Sequence, residues 1–385
     1  MKKISLSCLV AFMLLVLTIS SPIAENNLKS ITIPIMMFQT VKNDTAKTKI
    51  KNELPTSRDK ALLYYWNLES GKISCEEKPL FLRETKQSYF STTIWDGGKN
   101  ILINAFSFQG GKFNISNPNP KFVVNKINPP NKESGTVIHN IPSKNTLITA
   151  RFVQSSVEPQ DKQNYSLGKC NIVVEIKEGA KQKKTTLVPP PMKNSFGPYP
   201  LLLFGSPENY TILAAYDLMP EATGKLILVN VRGVNVRWKE MKGDYPLSFI
   251  AGGGANVAKV NNKIYISTAG ITTELDLTKD ELILTESKTI NSLMKSLIPH
   301  FLKDTESYIE PSLGSYNGIL LVEIHRGYKE NWIWAIKDNH VLGKAYIDNN
   351  HSKIQISKGS KVTQEKLLLP VTEIYLPKSS FGTWN

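Results

Sequence analysis

Apolar and polar residues alternate with a period of two over much of the chain. The clearest stretches are 31–38, 61–67, 100–108, 146–153, 171–176, 210–216, 263–267, 318–324, 332–336 and 371–376. Alternation of this kind, rich in β-branched and aromatic side chains, predicts strands with one or both faces covered. Gly, Asn, Asp and Pro punctuate the intervals between them and supply turn chemistry. Helical spacing stands out once, over 288–301, where Ile290, Leu293, Met294, Leu297 and Ile298 share one face and Pro299 is expected to limit the element. The pattern therefore predicts an all-β body carrying one inserted helix against its end or side.

Whole strand pairs recur. A tight hairpin leading into a β-rich run appears near Gly98, Lys144, Glu208, Asn262 and Asn317, at spacings of 46, 64, 54 and 55 residues. Such spacings suit four-stranded units with variable loops. A second hairpin, ending near Gly-Lys or Lys-Asp, follows several of them at 64–72, 214–225, 273–280 and 332–338. These paired hairpins resemble those of secreted β-propeller proteins at the level of fold, without the Trp-Asp blade ends, kelch double glycines or calcium-binding repeats of particular families. The resemblance implies a β-propeller-like body of six or seven blades. Run 31–38 would join a sheet with 371–376 and leave no exposed edge at the ring's closure. A β-sandwich, or a two-domain all-β chain with an extended linker at 187–196 through Pro189, Pro190 and Pro191, is the competing architecture.

The first 24 residues change the setting. Lys2 and Lys3 precede a largely apolar run from Leu6 to Leu17 and a Ser-Ser-Pro-Ile-Ala segment, the pattern of a secretory signal peptide cut after Ala24. Residues 25–385 would then form a single exported domain, secreted or held at the cell surface. The rest of the sequence contains no run of eighteen apolar residues. Formal charge falls from +14 to +12 with loss of the two lysines. That charge draws the chain toward anionic cell-surface polymers or glycans. Nucleic acid is not an expected partner outside the compartment that holds it.

Candidate chemistry is sparse. Five histidines, none in a tight ligand motif, predict no metal site, and no cofactor motif occurs. Gly-x-Ser-x-Gly is absent, and Gly252-Gly253-Gly254 lacks the lysine and helix of a phosphate loop. A catalytic cluster would draw on His300, Asp304, Glu310, His325 and Arg326, where carboxylates could divide acid and base roles and an arginine could neutralise a uronate. A binding surface would instead use Arg232, Arg237, Trp238, Lys239 and Lys242, together with Lys181, Lys183 and Lys184, gripping anions or stacking on a sugar. Cys75 and Cys170, the two cysteines left after signal removal, are expected to pair across a loop of about 95 residues. The balance favours an exported, non-catalytic protein that binds an envelope protein, an anionic polymer or a glycan. An extracellular carbohydrate-active hydrolase or lyase is the alternative.

Overall fold

The computed structural model describes residues 31–41, 57–85, 88–96, 100–107, 114–116, 118–126, 136–141, 145–154, 170–192, 195–218, 223–242, 256–268, 270–301, 311–326, 329–378 and 380–383. The proposed signal segment, Gly252 to Gly254, Asp304 and Glu310 lie outside them. Six sheets are present among the described residues. Sheet one joins β1 (Thr32–Val41), β2 (Ser57–Asn67), β3 (Lys72–Cys75), β4 (Phe81–Thr85) and β7 (Asn114–Ser116). Sheet two is β5 (Ser88–Asp96), β6 (Asn100–Ser107) and, parallel to it, β8 (Val123–Lys126). Sheet three runs through β9 (Thr136–Ile141), β10 (Thr146–Gln154), β11 (Cys170–Glu178) and β12 (Lys181–Leu187). Sheet four is the meander β13 (Ser195–Ser206), β14 (Asn209–Leu218), β15 (Thr223–Arg232), β16 (Asn235–Glu240). Sheet five repeats it with β17 (Asn256–Val260), β18 (Lys263–Thr268), β19 (Ile271–Asp276) and β20 (Leu284–Glu286). Sheet six extends it to six strands, β21 (Ser312–Tyr316), β22 (Ile319–Arg326), β23 (Glu330–Lys337), β24 (His340–Asp348), β25 (Lys353–Lys358) and β26 (Lys361–Leu367).

Period-two alternation divides sheets one, four, five and six between two cores. In β1, Ile33, Ile35 and Met37 pack with Leu321, Ile333 and Ile354 of sheet six, while Met36 and Phe38 face Phe81 and Phe122, the residue before β8. Strand β14 sends Ile212, Ala214 and Tyr216 toward Ile148 and Val174 of sheet three, and Leu213 and Ala215 toward Ile264 and Ile266 of sheet five. Sheet six likewise turns Leu320, Val322 and Trp334 toward Ala258 and Tyr265 of sheet five. Sheets three to six thus stack face to face in order, and sheet six shares a core with sheet one. Strands covered on both sides read as continuous apolar runs, as in β22 and β23, because neither face meets water. The last strands, β12, β16 and β26, read as polar and lie largely exposed, since twist opens neighbouring sheets apart toward that edge.

The joining of the first and last apolar runs in one sheet follows the sequence expectation. Strand β27 (Val371–Tyr375) pairs antiparallel with β1, opposing Met36 to Tyr375 and Phe38 to Glu373. The chain then passes along β21, where Ser315 N–H donates to Pro377 O at 2.8 Å, and ends in β28 (Ser380–Thr383), paired with β9 of sheet three and lying beside β5 and β13. The C-terminal strap therefore touches every sheet except five by way of their first strands. Its passage requires Gly314: a Cβ there would stand 2.5 Å from Leu376 Cβ and 2.7 Å from Pro377 O. Gly314→Ala is expected to cost about 1–3 kcal/mol by overpacking, read as a lower urea midpoint. An unchanged midpoint would place the strap elsewhere.

Two expectations are corrected. Cys75 and Cys170 are free thiols, one exposed on β3 opposite Tyr64 and one buried at the start of β11 opposite Gln154. They belong to different sheets, and burial pushes both thiols above the usual range, away from thiolate chemistry. The proline run 189–191 connects sheets three and four, which share one core containing Leu187, Met192 and Leu203, so it is not a linker between independent β bodies. Helix α1 (Lys288–Phe301) spans the stretch its spacing predicted, with Pro299 in its last turn. It buries Ile290, Met294 and Leu297 between sheets five and six. Its Asn291 side chain accepts Thr272 N–H at 3.0 Å and donates to Thr272 O at 3.2 Å, pinning it to β19.

Candidate functional site

The strand geometry separates the proposed catalytic cluster. His325 and Arg326 are consecutive in β22, so their side chains leave opposite faces. His325 Nδ1 lies 3.8 Å from Glu323 Oε1 on the sheet-one side. Arg326 instead donates to Glu330 at 2.8 Å on the sheet-five side, where the Tyr346 hydroxyl donates to the same carboxylate. His300 falls in the last turn of α1, and Asp304 and Glu310 are outside the described residues. Near Glu323, burial pushes the Lys378 ammonium down to about 8, with the Glu323 charge opposing the shift.

Both basic runs map to exposed edges of adjacent sheets. Lys181, Lys183 and Lys184 stand on β12, and Lys184 Nζ is 3.8 Å from Glu175. Arg232 ends β15, while Arg237, Trp238 and Lys239 lie on β16. Lys239 donates to Asp280 O and Lys242 pairs with Glu281, so these two cations tie sheet four to the end of sheet five. Trp238 is half-buried against the core between sheets three and four, which removes one ring face from any stacking role. Charged side chains on open edges also discourage pairing with another chain, a role these positions fill without a ligand.

A cleft of about 390 Å³ opens elsewhere, between sheets five and six. Hairpin turns build its rim. Asn317 and Gly318, at φ 47° and 77°, and Asp338 and Asn339, at 49° and 65°, occupy the left-handed region that two-residue hairpins demand. Asn261, at φ 52°, turns β17 into β18 beside them. Leu320 and Ile336 form an apolar floor, and Asn261, Asn262, Asn339, Thr278, Asp276 and Asp338 supply polar walls. Asp276 Oδ1 accepts from Thr278 N–H at 2.9 Å and from its hydroxyl at 2.6 Å. Those hydrogen bonds hold the carboxyl below its ordinary range, and it stays ionised. Lys263, the cation in the lining, is bonded to Glu274 at 2.8 Å.

Tyr265 gives the cleft its depth. The residue is 7 % exposed, with its ring in the core against α1 and sheet six and its hydroxyl bordering the cleft. That hydroxyl has no hydrogen-bond partner among the described residues. Burial, then the Glu274 charge, pushes its pKa up; Asp338 adds to the shift and Lys263 opposes it. The lining contains no Ser, Cys or His, and the Thr278 hydroxyl is committed to Asp276. The arrangement can orient and hold a ligand; it offers no nucleophile activated by a base.

Asp276 stands within the recurring hairpin 273–280, and Asn262 and Asn317 are among the repeat markers. The signal for the cleft was that recurrence: equivalent hairpins in stacked sheets place their turns on one rim. Among the described residues no group of three or more His, Cys, Asp or Glu is arranged to hold a metal ion.

No family model and no curated protein matches this chain. Solved structures with which it shares a shallow, propeller-like likeness include apo AztD from Citrobacter koseri, at 10 % identity and a TM-score of 0.31 over 92 % of this chain and 99 % of that one. The WD40 domain of SCAP from fission yeast gives 8 % identity and a TM-score of 0.23 over 84 % and 72 %. A HIRA fragment gives 11 % and 0.26, and the match spans 53 % of this chain and 53 % of that fragment. Likeness at this level identifies no family and says nothing about activity.

Proposed function

We propose that the chain is an exported, non-catalytic β-propeller-like protein of six blades that binds an extracellular or envelope partner, a protein or a glycan, through the cleft between sheets five and six. The observation that carries this reading is the cleft itself, lined by asparagines of the turns, two aspartates and Tyr265, with no Ser, Cys or His in its lining. Few convergent polar groups above an apolar floor are what orient a ligand in a preformed site. The succession of sheets sharing cores, with the last packed on the first, supports the ring, and the apolar segment behind Lys2 and Lys3 supports export. The hydrolase or lyase alternative draws nothing from the divergence of His325 and Arg326.

Incubating the purified chain with a panel of envelope polysaccharides and peptides, followed by hydrogen exchange and product chromatography, tests it. Slowed exchange over 260–265, 276–278 and 336–340, without new products, is expected. Chain cleavage of a polysaccharide, or protection confined to β12 and β16, would replace this reading.

A further inference from the structure

We infer that the cleft between sheets five and six holds an uncharged, hydroxyl-rich ring, the terminal sugar unit of a neutral glycan. The inference rests on the cleft being a binding site and adds the chemistry of what enters it. Charge does not choose the occupant. The two carboxylates of the lining, Asp276 and Asp338, stand among cations: Lys263 lies in the lining, Lys279 follows Thr278 in the turn, and both act on Asp276. A ligand of either charge therefore meets no strong excess of the opposite sign.

Hydrogen-bonding capacity chooses it instead. Among the described residues the side chains of Asn261, Asn262, Asn339 and Asp338 bond to no other group of the protein, and all four line the cleft. Their backbones, by contrast, are held. Asn261 O accepts Lys259 Nζ at 2.6 Å, Asn262 O accepts Leu277 N–H at 2.8 Å and Asn339 O accepts the Thr289 hydroxyl at 3.4 Å. The turns are thus fixed in place while the side chains they carry remain free for a ligand. Each amide offers two donors and an acceptor, and the carboxylate offers acceptors only; hydroxyls, which both give and take a hydrogen bond, match such a mixed set. Leu320 and Ile336 beneath them suit the carbon-bound hydrogens on one face of a sugar ring. At about 390 Å³ the cleft falls at the small end of ligand pockets, about 300–1,000 Å³, which fits a terminal sugar better than a long chain segment. An extended peptide is commonly read through the row of N–H and C=O groups on a sheet edge, whereas these walls are hairpin turns and present no such row.

Calorimetric or NMR titration of the full chain with the methyl glycosides of glucose, galactose and mannose, with glucosamine and glucuronate, and with N-acetyl-alanine methylamide as a peptide probe tests the inference. At least one neutral glycoside is expected to bind, with an affinity that added salt leaves unchanged, and the two charged sugars should bind no tighter. Asn262→Ala, at a position outside the left-handed region, and Asp338→Gly, which suits that region, should each lower this affinity about three- to tenfold, the worth of one or two hydrogen bonds. Lys366→Gln, on the outermost strand of sheet six, should leave it unchanged. A sugar whose affinity neither cleft variant moves is held elsewhere and overturns the inference, as does selective binding of glucosamine or glucuronate. Binding of the peptide probe alone also overturns it, yet leaves the cleft as the site of a protein partner. If no probe binds, the sugar inference fails; if the polysaccharides and peptides of the exchange experiment also leave 260–265, 276–278 and 336–340 unprotected, the proposed function fails with it.

Discussion

A chain ending at Pro370 will unfold at a far lower urea concentration than the full chain, and with a broadened transition. Truncation there removes β27 and β28, and with them the buried side chains of Val371 and Leu376, 2 % and 3 % exposed. Burial of two such side chains contributes about 3–6 kcal/mol, against typical domain stabilities of about 5–15 kcal/mol. Polar losses add to this. The Asn349 side chain donates to Val371 O at 2.7 Å and accepts from Val371 N–H at 2.9 Å, imitating a strand partner, and truncation removes both bonds. Strand β1 then becomes an open edge, so association through that edge should accompany the loss. Tryptophan fluorescence against urea and light scattering measure both effects. A synthetic 371–385 peptide added in trans should recover part of the midpoint. Full stability after truncation would mean that the strap contributes nothing to closure.

Trp66→Ala should cost about 3–5 kcal/mol, the range for removing a buried aromatic side chain. The indole is completely buried between sheets one and six, in the core formed with Ile33, Ile73, Leu321 and Ile333. Gly343 makes the room: a Cβ at that position would lie 2.9 Å from the indole Cζ2. Gly343→Ala alone should therefore destabilise by overpacking, whereas combining it with Trp66→Phe should cost less than the sum of the two single changes. Denaturant unfolding of the four proteins closes the cycle. Strict additivity would show that glycine and indole do not share that space.

Much of the fold was legible because the strands with the deepest burial carry the strongest pattern. Runs 210–216, 318–324 and 332–336 coincide with β14, β22 and β23, and the pairing of β1 with β27 follows from two apolar runs at opposite ends of the chain. The helix was legible from its 3.6-residue stripe, and it ends at Phe301, just beyond the limiting Pro299. Site residues were harder. Lys183, Lys184 and Arg237 drew attention as local charge runs, yet they share the property of lying on last strands, where charge has a structural use. His325 and Arg326 looked paired because they are adjacent in sequence, while a strand sends neighbours apart. The cleft depends on the meeting of Asn261, Asp276 and Asp338 across two sheets. No single stretch of sequence carries that meeting, although the repeated hairpin markers pointed to the rim.

The pairing of Met36 with Tyr375 sets an order on biosynthesis. Roughly 340 residues separate the two strands, so at about 5–20 residues per second the first strand waits roughly 20–70 s for its partner. Sheets four and five are meanders of consecutive strands and can form as they emerge; sheets one and three cannot be completed until β27 and β28 are made. The nascent chain is consequently held in an unclosed, aggregation-exposed state until its synthesis is nearly finished, and a holdase acting on β1 would have its greatest effect in that interval.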